Sequence, residues 1–371
     1  MIVHVVQHLV PGGLEVMCLE LARAQGRRHA VMVVSLEGDA ASAKAAWPRL
    51  AREGTPIEFM GKRPGLDIGL VWRLVRLFRR VGAVGVHTHH IGPLLYAGAA
   101  AAICNLRRIH TEHDAWHLQN AKRRRLAQIA MKIARPILVA DAPHVADAVM
   151  AALGGSRPLV ILNGVDVARF APGDQAAARG ALGLPAGVPV IAIAARLERV
   201  KGVDVALRAL AEVPGAVLAV AGSGTERENL QILAGELGIA DRVIWLGHVD
   251  DTSVLYQAAD VVCLPSRAEG LPLALLEAQA CGRIVVASRV GGVPGGMDPE
   301  SGILVEAENP AELAQGLHIA LCKAAEGPGS SSPRDFVMRT ASLDSMEAAY
   351  TNLMLGGPPP WTPSSKAPPP R

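Results

Sequence analysis

The segment P-S-R-A-E-G-L-P-L-A-L-L-E over residues 265–277 carries two glutamates, Glu269 and Glu277. Glu269 falls in a Gly/Pro-containing turn after the apolar run Val261–Leu264. Glu277 falls about one turn into the helix expected next. Both carboxylates can therefore face the crevice beyond the carboxyl end of that strand, where doubly wound sheets take their ligands. The backbone N–H groups of Gly270 and Leu271 open the helix and offer an anion site. Two acidic residues eight apart are also compatible with a solvated helix face, but the P-S-x-x-E-G-x-P context argues against that. Histidines form a second group: His87, His89 and His90 end one expected strand, and His113 ends another in His110-Thr111-Glu112-His113. Imidazoles there can hydrogen-bond a ligand hydroxyl or a departing oxygen. Their spacings are not diagnostic of zinc and no carboxylate pattern accompanies them, so no metal is expected.

These residues need elements to position them, and the chain reads as two successive strand–helix series. The first has strands at Ile2–Val6, His29–Leu36, Val84–His87, Arg108–Thr111, Ile137–Ala140 and Leu159–Leu162. Helical spacing marks Leu14–Ala24 and Leu70–Val81; Val71, Leu74, Val75 and Phe78 follow the i, i+3, i+4, i+7 pattern. The pattern restarts after Ala171-Pro172-Gly173-Asp174. Strands then follow at Val188–Ala194, Val217–Val220, Val243–Leu246, Val261–Leu264 and Ile284–Ala287. Helices are expected at Val203–Val213, Leu273–Ala280, Ala311–Leu321 and up to about Leu237. Apolar runs without alternation suit strands buried on both faces of a parallel sheet. The expected fold class is α/β, with two Rossmann-like doubly wound domains facing one another across a cleft. The expected domains are 1–170 and 171–335. A helix within 336–355 returns to the first domain, and a disordered Pro-rich tail covers 356–371.

Composition narrows the field. Half of the 371 residues are hydrophobic and 19% are charged, which excludes a globally disordered chain. Aromatic residues make up only 3%, too few for base-stacking platforms, so a nucleic-acid partner is not expected. The five cysteines, Cys18, Cys104, Cys263, Cys281 and Cys322, form no C-x-x-C pair and suit reduced thiols in a cytoplasmic setting. The N-terminus has no basic n-region of a signal peptide. The weakly polar stretch Ile91–Leu106 is shorter than a membrane span and reads as a buried helix. Charge is lopsided: residues 1–170 hold 22 Lys+Arg against 12 Asp+Glu, and the remainder 15 against 22. Arg73, Arg76 and Arg80 share a helical face; Lys122–Arg125, Lys132 and Arg135 form a second basic cluster. Either could meet an anionic membrane surface, so the expected location is cytoplasmic with possible peripheral attachment to the inner face of the membrane. An ordinary solvated helix face explains them equally well.

The ordered motifs together resemble the retaining nucleotide-sugar glycosyltransferases of family 4, which have a GT-B fold. They are Gly12-Gly13-Leu14-Glu15, His110-Thr111-Glu112-His113, Asn163-Gly164-Val165-Asp166 with Phe170, Arg196-Leu197 with Lys201-Gly202, Ala221-Gly222-Ser223-Gly224, Leu246-Gly247-His248, the 265–277 segment, and Gly291-Gly292-Val293-Pro294. They spread over most of residues 1–325. The first half also looks like transferases of bacterial exopolysaccharide clusters.

The resemblance implies transfer of a sugar from a nucleotide-diphosphate sugar, such as a UDP- or GDP-sugar, to a glycan, lipid-linked or small-molecule acceptor. No cofactor or metal would be required. Arg196 and Lys201 would meet the diphosphate, one bidentately and one as a point charge. Gly13, Gly222, Gly224, Gly270 and Leu271 would lie along the donor, and Gly12-Gly13 also near the acceptor. Glu269 would contact donor-sugar hydroxyls and Glu277 the ribose. His113 would lie near the donor sugar and phosphate, while His87 and His89 would line the acceptor side. Two departures stand out: Gly295 occupies the position of the family's glutamate in G-G-x-P-E, and Ile284 replaces a common proline. A nucleotide-sugar epimerase and a catalytically silent sugar-nucleotide-binding protein are the alternatives.

Overall fold

The structure is a computed structural model that describes residues 1–327 and 332–357. The proline-rich stretch 358–371, most of the expected tail, lies outside the described residues. The chain divides into two compact units. One comprises Met1–Ile161 with the segment from Asp344, and the other Leu162–Leu343.

The first unit is built on a parallel sheet of seven strands: β1 (Ile2–Val6), β2 (Val31–Ser35), β3 (Ile57–Phe59), β4 (Gly85–His89), β5 (Arg107–Glu112), β6 (Ile137–Ala140) and β7 (Leu159–Val160). Their order is β3-β2-β1-β4-β5-β6-β7. The second unit holds β8 (Val190–Ala194), β9 (Val217–Ala221), β10 (Val243–Gly247), β11 (Val261–Leu264), β12 (Ile284–Ser288) and β13 (Ile303–Val305), in the order β10-β9-β8-β11-β12-β13. In each sheet the order reverses beside the first strand, between β1 and β4 and between β8 and β11. The crevice outside the carboxyl ends at such a reversal is where an open α/β sheet binds ligands.

The composition explains these elements. β-Branched residues crowd β8 and β11 because both faces of a central parallel strand are covered, and Val190, Ile191, Ala192 and Ile193 are all inaccessible. Helices Val203–Ala211 and Pro310–Glu326 supply Leu207, Leu210, Leu313 and Leu317 to the same core. In the first unit, Leu70, Leu74 and Phe78 of helix Ile68–Arg80 pack on Val3, Val5 and Val34. Each such side chain contributes about 1.5–3 kcal/mol by leaving water. Helix starts carry the expected acceptors: Asp67 caps Ile68–Arg80, Asn120 caps Ala121–Ala134 and Asp174 caps Gln175–Leu182.

Two strands escape the sequence reading, β3 and β13. Each has three residues and β3 is only half-buried, so neither shows a long apolar run. The stretch from Ile91 is helical to Ile103, with a π-helical turn at Leu94–Gly98. Helix Leu343–Leu355 belongs to the first unit: Gln25 Nε2 donates to Thr351 Oγ1 (3.0 Å), and the hydroxyls of Thr111 and Tyr350 lie 3.0 Å apart. Among the described residues no helix is long and apolar enough to cross a membrane.

Candidate active site

In the second unit, the residues singled out by sequence gather where β8 and β11 end. Gly202 follows the 3-10 turn Arg199–Lys201 with φ +65°, and a Cβ there would overlap the Pro265 carbonyl oxygen. Gly222, at φ +141°, stands equally close to the Ala195 carbonyl, and Gly224 to that of Leu197. The glycines thus let the loops after β9 and β11 press backbone against the loop after β8. Arg267 locks this arrangement. Its guanidinium grips both oxygens of Asp204 at 2.8 Å and donates to the Arg199 carbonyl at 2.6 Å; its own N–H donates to the Val200 carbonyl at 2.8 Å. This clamp holds the turn bearing Lys201 against the loop bearing Glu269.

Lys201 and Glu269 meet directly. Lys201 Nζ donates to Glu269 Oε1 at 2.7 Å, and Ser266 Oγ donates to the same oxygen at 2.7 Å. Glu269 is buried, at 7% exposure. The expected role of Lys201 toward a diphosphate therefore needs refinement, because here its charge is matched by Glu269. The Arg196 side chain, by contrast, is exposed and has no hydrogen bond or ion pair among the described residues, as is also true of Arg199 in the same loop. Glu277 lies on helix Leu273–Ala280 and accepts from Tyr256 OH at 3.0 Å and Thr252 Oγ1 at 3.4 Å. Burial, reinforced by Glu277, raises the Tyr256 hydroxyl well above its ordinary value and keeps it a donor. Pro272 occupies the N-cap position of that helix without a side-chain hydrogen bond. The N–H groups of Gly270 and Leu271 just before it are not spent on a partner among the described residues. Their carbonyls are tied instead: Gly292 N–H donates to Gly270 at 2.9 Å and Asn163 Nδ2 to Leu271 at 3.4 Å. Ser266, Tyr256, Thr252 and Arg267 were missed in the sequence. Only Ser266 carried a signal, three residues before Glu269 in the motif.

In the first unit, the histidines form a stack. Ring centroids lie 4.1 Å apart for His87 and His89, 5.9 Å for His4 and His89, and 5.4 Å for His89 and His113. His87 and His89 have no exposed surface, which corrects the expectation that they line an acceptor surface. Burial holds both well below the ordinary histidine range. His87 Nε2 pairs with Thr111 Oγ1 at 2.7 Å. His89 acts through a neighbour: its Nδ1 lies 3.1 Å from His113 Nε2, and His113 Nδ1 lies 3.2 Å from Asp141 Oδ2. Only His113 retains some exposure, 10% of its side chain. Asp141, which fixes that ring, was missed because it lies on the next strand's end, 28 residues away. Gly13 is exposed at the start of helix Gly13–Gly26, and a side chain there would meet open space. It is Gly12 that is crowded, by Glu15.

The two basic clusters differ. On helix Ile68–Arg80, Arg73 pairs with Asp67 at 2.9 Å and Arg80 with Glu58 at 3.1 Å. Helix Ala121–Ala134 contains Lys122, Arg123, Arg124, Arg125 and Lys132 and no acidic residue. Leu126, Ile129 and Ile133 are exposed on it at 39%, 47% and 50%.

Residues 11–169 match the sequence model described as Glycosyltransferase Family 4, and residues 174–325 that described as Glycosyl transferases group 1. The D-inositol 3-phosphate glycosyltransferase of Mycolicibacterium gilvum (strain PYR-GCK) is 46% identical over 159 residues, 41% of this chain and 36% of that protein. Its counterpart from Segniliparus rotundus is 38% identical over 213 residues, 53% and 47% of the two chains. The chain thus spans less than half the length of these curated relatives. Among solved structures, Anabaena Alr3699/HepE in complex with UDP aligns with a TM-score of 0.83 at 21% identity, covering 95% of this chain and 99% of that one. The same protein in complex with UDP-glucose aligns at 0.82. At that identity the likeness speaks for the fold.

Proposed function

Because this chain belongs to the family 4 glycosyltransferases, with the two Rossmann-like domains of the GT-B fold, we propose that it moves a sugar from a nucleotide-diphosphate sugar to an acceptor hydroxyl. The observation that carries this reading is the set of groups on the loops and helix that follow β8 and β11: the Lys201–Glu269 pair, Glu277 held by Tyr256, and, in the loop after β8, the Arg196 side chain without a partner among the described residues. Breaking a sugar–diphosphate bond leaves a dianion. Arg196 takes that charge bidentately, supported by the open N–H groups at Gly270 and Leu271. Gly13, Gly222 and Gly224 let backbone come close to the phosphates. Such preorganised charge is the largest catalytic contribution in many enzymes.

Lys201 shares its charge between Glu269 and the incoming phosphate. Glu269 accepts from donor-sugar hydroxyls and faces the positive charge that develops at the anomeric carbon. Glu277 takes the ribose hydroxyls. His113, oriented by Asp141, hydrogen-bonds the donor sugar. Transfer proceeds with retention by front-face attack. The anomeric C–O bond to phosphate breaks, a bond to the acceptor oxygen forms, and the acceptor's proton passes to the departing phosphate oxygen. No metal enters these steps. The relatives named for inositol phosphate favour a small polyol phosphate as acceptor over a glycan, and the HepE complexes favour a UDP-sugar as donor. Contact with an anionic membrane, if made, goes through helix Ala121–Ala134, where unpaired cations flank exposed Leu126, Ile129 and Ile133. Sedimentation with vesicles containing anionic lipid tests this; protein remaining in the supernatant overturns it.

The test of the donor site is a thermal-shift panel with UDP, GDP, ADP and their sugar conjugates, without metal and then with magnesium. One nucleotide should raise the melting temperature by mass action, and Arg196→Ala and Glu277→Ala should abolish the rise. No rise with any nucleotide overturns the donor site. Product analysis with and without inositol phosphate then separates transfer from epimerisation, which needs no acceptor. Gly295, in place of the family glutamate, favours a second reading: a protein that binds donor without turning it over. Binding without any product supports it.

A further inference from the structure

Three buried groups outside the proposed transfer chemistry face one another in the first unit: the imidazoles of His4 on β1 and His89 on β4, and the thiol of Cys18 on helix Gly13–Gly26. Each offers a ligand atom, and these atoms lie within 4.8 Å of one another. All three residues have 0% exposure. His4 Nδ1 and His89 Nε2 have no hydrogen-bond partner, and Cys18 is a free cysteine. A buried polar atom without a partner loses its hydration uncompensated, so two in one place call for an explanation.

Two hydrogen-bond chains, each ending at a carboxylate, decide what these nitrogens carry. Thr351 donates its hydroxyl hydrogen to Glu347 Oε1 at 2.8 Å and so accepts from Gln25 Nε2 at 3.0 Å. That orients the Gln25 carbonyl toward His4, 2.7 Å from Nε2, and Nε2 must carry the ring proton. Nδ1, which meets no hydrogen-bond acceptor, is the lone-pair nitrogen of the ring. In the other chain His113 donates from Nδ1 to Asp141. His113 Nε2, the ring's other nitrogen, pairs with His89 Nδ1, and His89 Nε2 meets no partner and serves as the second lone pair. Two imidazole lone pairs therefore converge beside a buried thiol, whose single hydrogen cannot satisfy both. His87 adds a third nitrogen without a partner, Nδ1, to the same group of rings.

We propose that His4, Cys18 and His89 form a buried binding site for a thiophilic cation of the zinc class. Two neutral imidazoles and a thiolate are the donor set such ions prefer. The Gln25 carbonyl and the Asp141–His113 pair supply the outer hydrogen bonds that hold ligating histidines in one tautomer. Cys18 releases its thiol proton to solvent as the sulfur–metal bond forms. Bonds of about 2.0–2.3 Å place tetrahedral ligand atoms about 3.3–3.8 Å apart, so small side-chain rotations close the site. The ion is structural. It ties β1, β4 and helix Gly13–Gly26 together, and it holds His89 as the donor to His113 Nε2.

Cobalt(II) added to the full-length, chelator-treated, reduced protein reads the site without any assay of transfer. One equivalent should bind and give a thiolate-to-cobalt charge-transfer band in the near ultraviolet. The band should vanish in Cys18→Ser and persist in Cys322→Ser. The second variant matters because Cys322 lies 3.9 Å from His318 on an exposed helix face, a second Cys–His pair that could take the ion. If Cys18→Ser does not fold, His4→Gln reads the same band. Zinc should raise the melting temperature of the chelator-treated wild type. Absence of the band, its survival in Cys18→Ser or its loss in Cys322→Ser overturns the proposal.

Discussion

Asp141 and His113 show how one hydrogen bond sets the chemistry of a side chain. The carboxylate at 3.2 Å holds the proton on His113 Nδ1 and leaves Nε2 to accept from His89. Asp141→Asn removes the charge and presents an amide that can donate, so the ring can turn its proton to the other nitrogen. Under the proposed function, turnover should fall about 10–100-fold with donor KM nearly unchanged, since a hydrogen bond to a charged group is worth about 1.5–3 kcal/mol. An equal rise in KM would assign Asp141 to ground-state binding instead. For the Lys201–Glu269 pair, Glu269→Gln frees Lys201. Nucleoside diphosphate should then bind more tightly while transfer is lost; calorimetry beside product analysis checks both. His113, Lys201 and Glu269 were legible because they stand in local motifs. Asp141, Tyr256 and Arg267 were not, since their partners lie 28, 21 and 63 residues away and only the folded sheet brings them together.

The loop after β8 is the element on which the second unit's site depends. It has no regular structure beyond one 3-10 turn, and it is held by close backbone approach at Gly202 and Gly222 and by the Arg267–Asp204 grip. Gly222→Ala drives a methyl into the Ala195 carbonyl at a φ that disfavours side chains. It should cost about 3 kcal/mol, read as a shift in the urea midpoint of the second unit. Arg267→Lys keeps the charge but loses the fork, and should weaken nucleotide binding more than it lowers the melting temperature. Arg267 also holds Asp204 below the usual carboxylate range. A carboxyl depressed on folding contributes stability above its unfolded pKa and loses it as pH falls through the folded value. The grip therefore fails in acid. Most strands were legible because central parallel strands need unbroken apolar runs. β3 and β13, three residues each at their sheet edges, give no such run.

At the scale of the whole molecule, the first unit stores three neutral histidines in its interior. His4 is lowered by burial to about 4, and His87 and His89 well below their ordinary 6.5. Between those values and 6.5 the unfolded chain binds protons that the folded one refuses, so stability rises with pH there and falls on acidification. In the metal-free protein the three add in the same direction, while His8 and His117, raised by their carboxylate neighbours, act the other way. Urea midpoints at about pH 7.5, 6.5 and 5.5 should fall steeply over the last interval, and His87→Gln should flatten the fall. An unchanged midpoint would show that these rings titrate in the native state.

The second unit is inserted, in sequence, within the first: residues 162–343 lie between Ile161 and the helix whose Tyr350 touches Thr111 and the His87 ring. A ribosome therefore finishes the second unit before it delivers the last piece of the first. Until Leu343–Leu355 emerges, the seven-stranded sheet has been synthesised but its histidine face lacks the cover of Tyr350 and the Gln25–Thr351 bond. The order of birth is the reverse of the order of numbering: the unit that begins the chain is the one completed last.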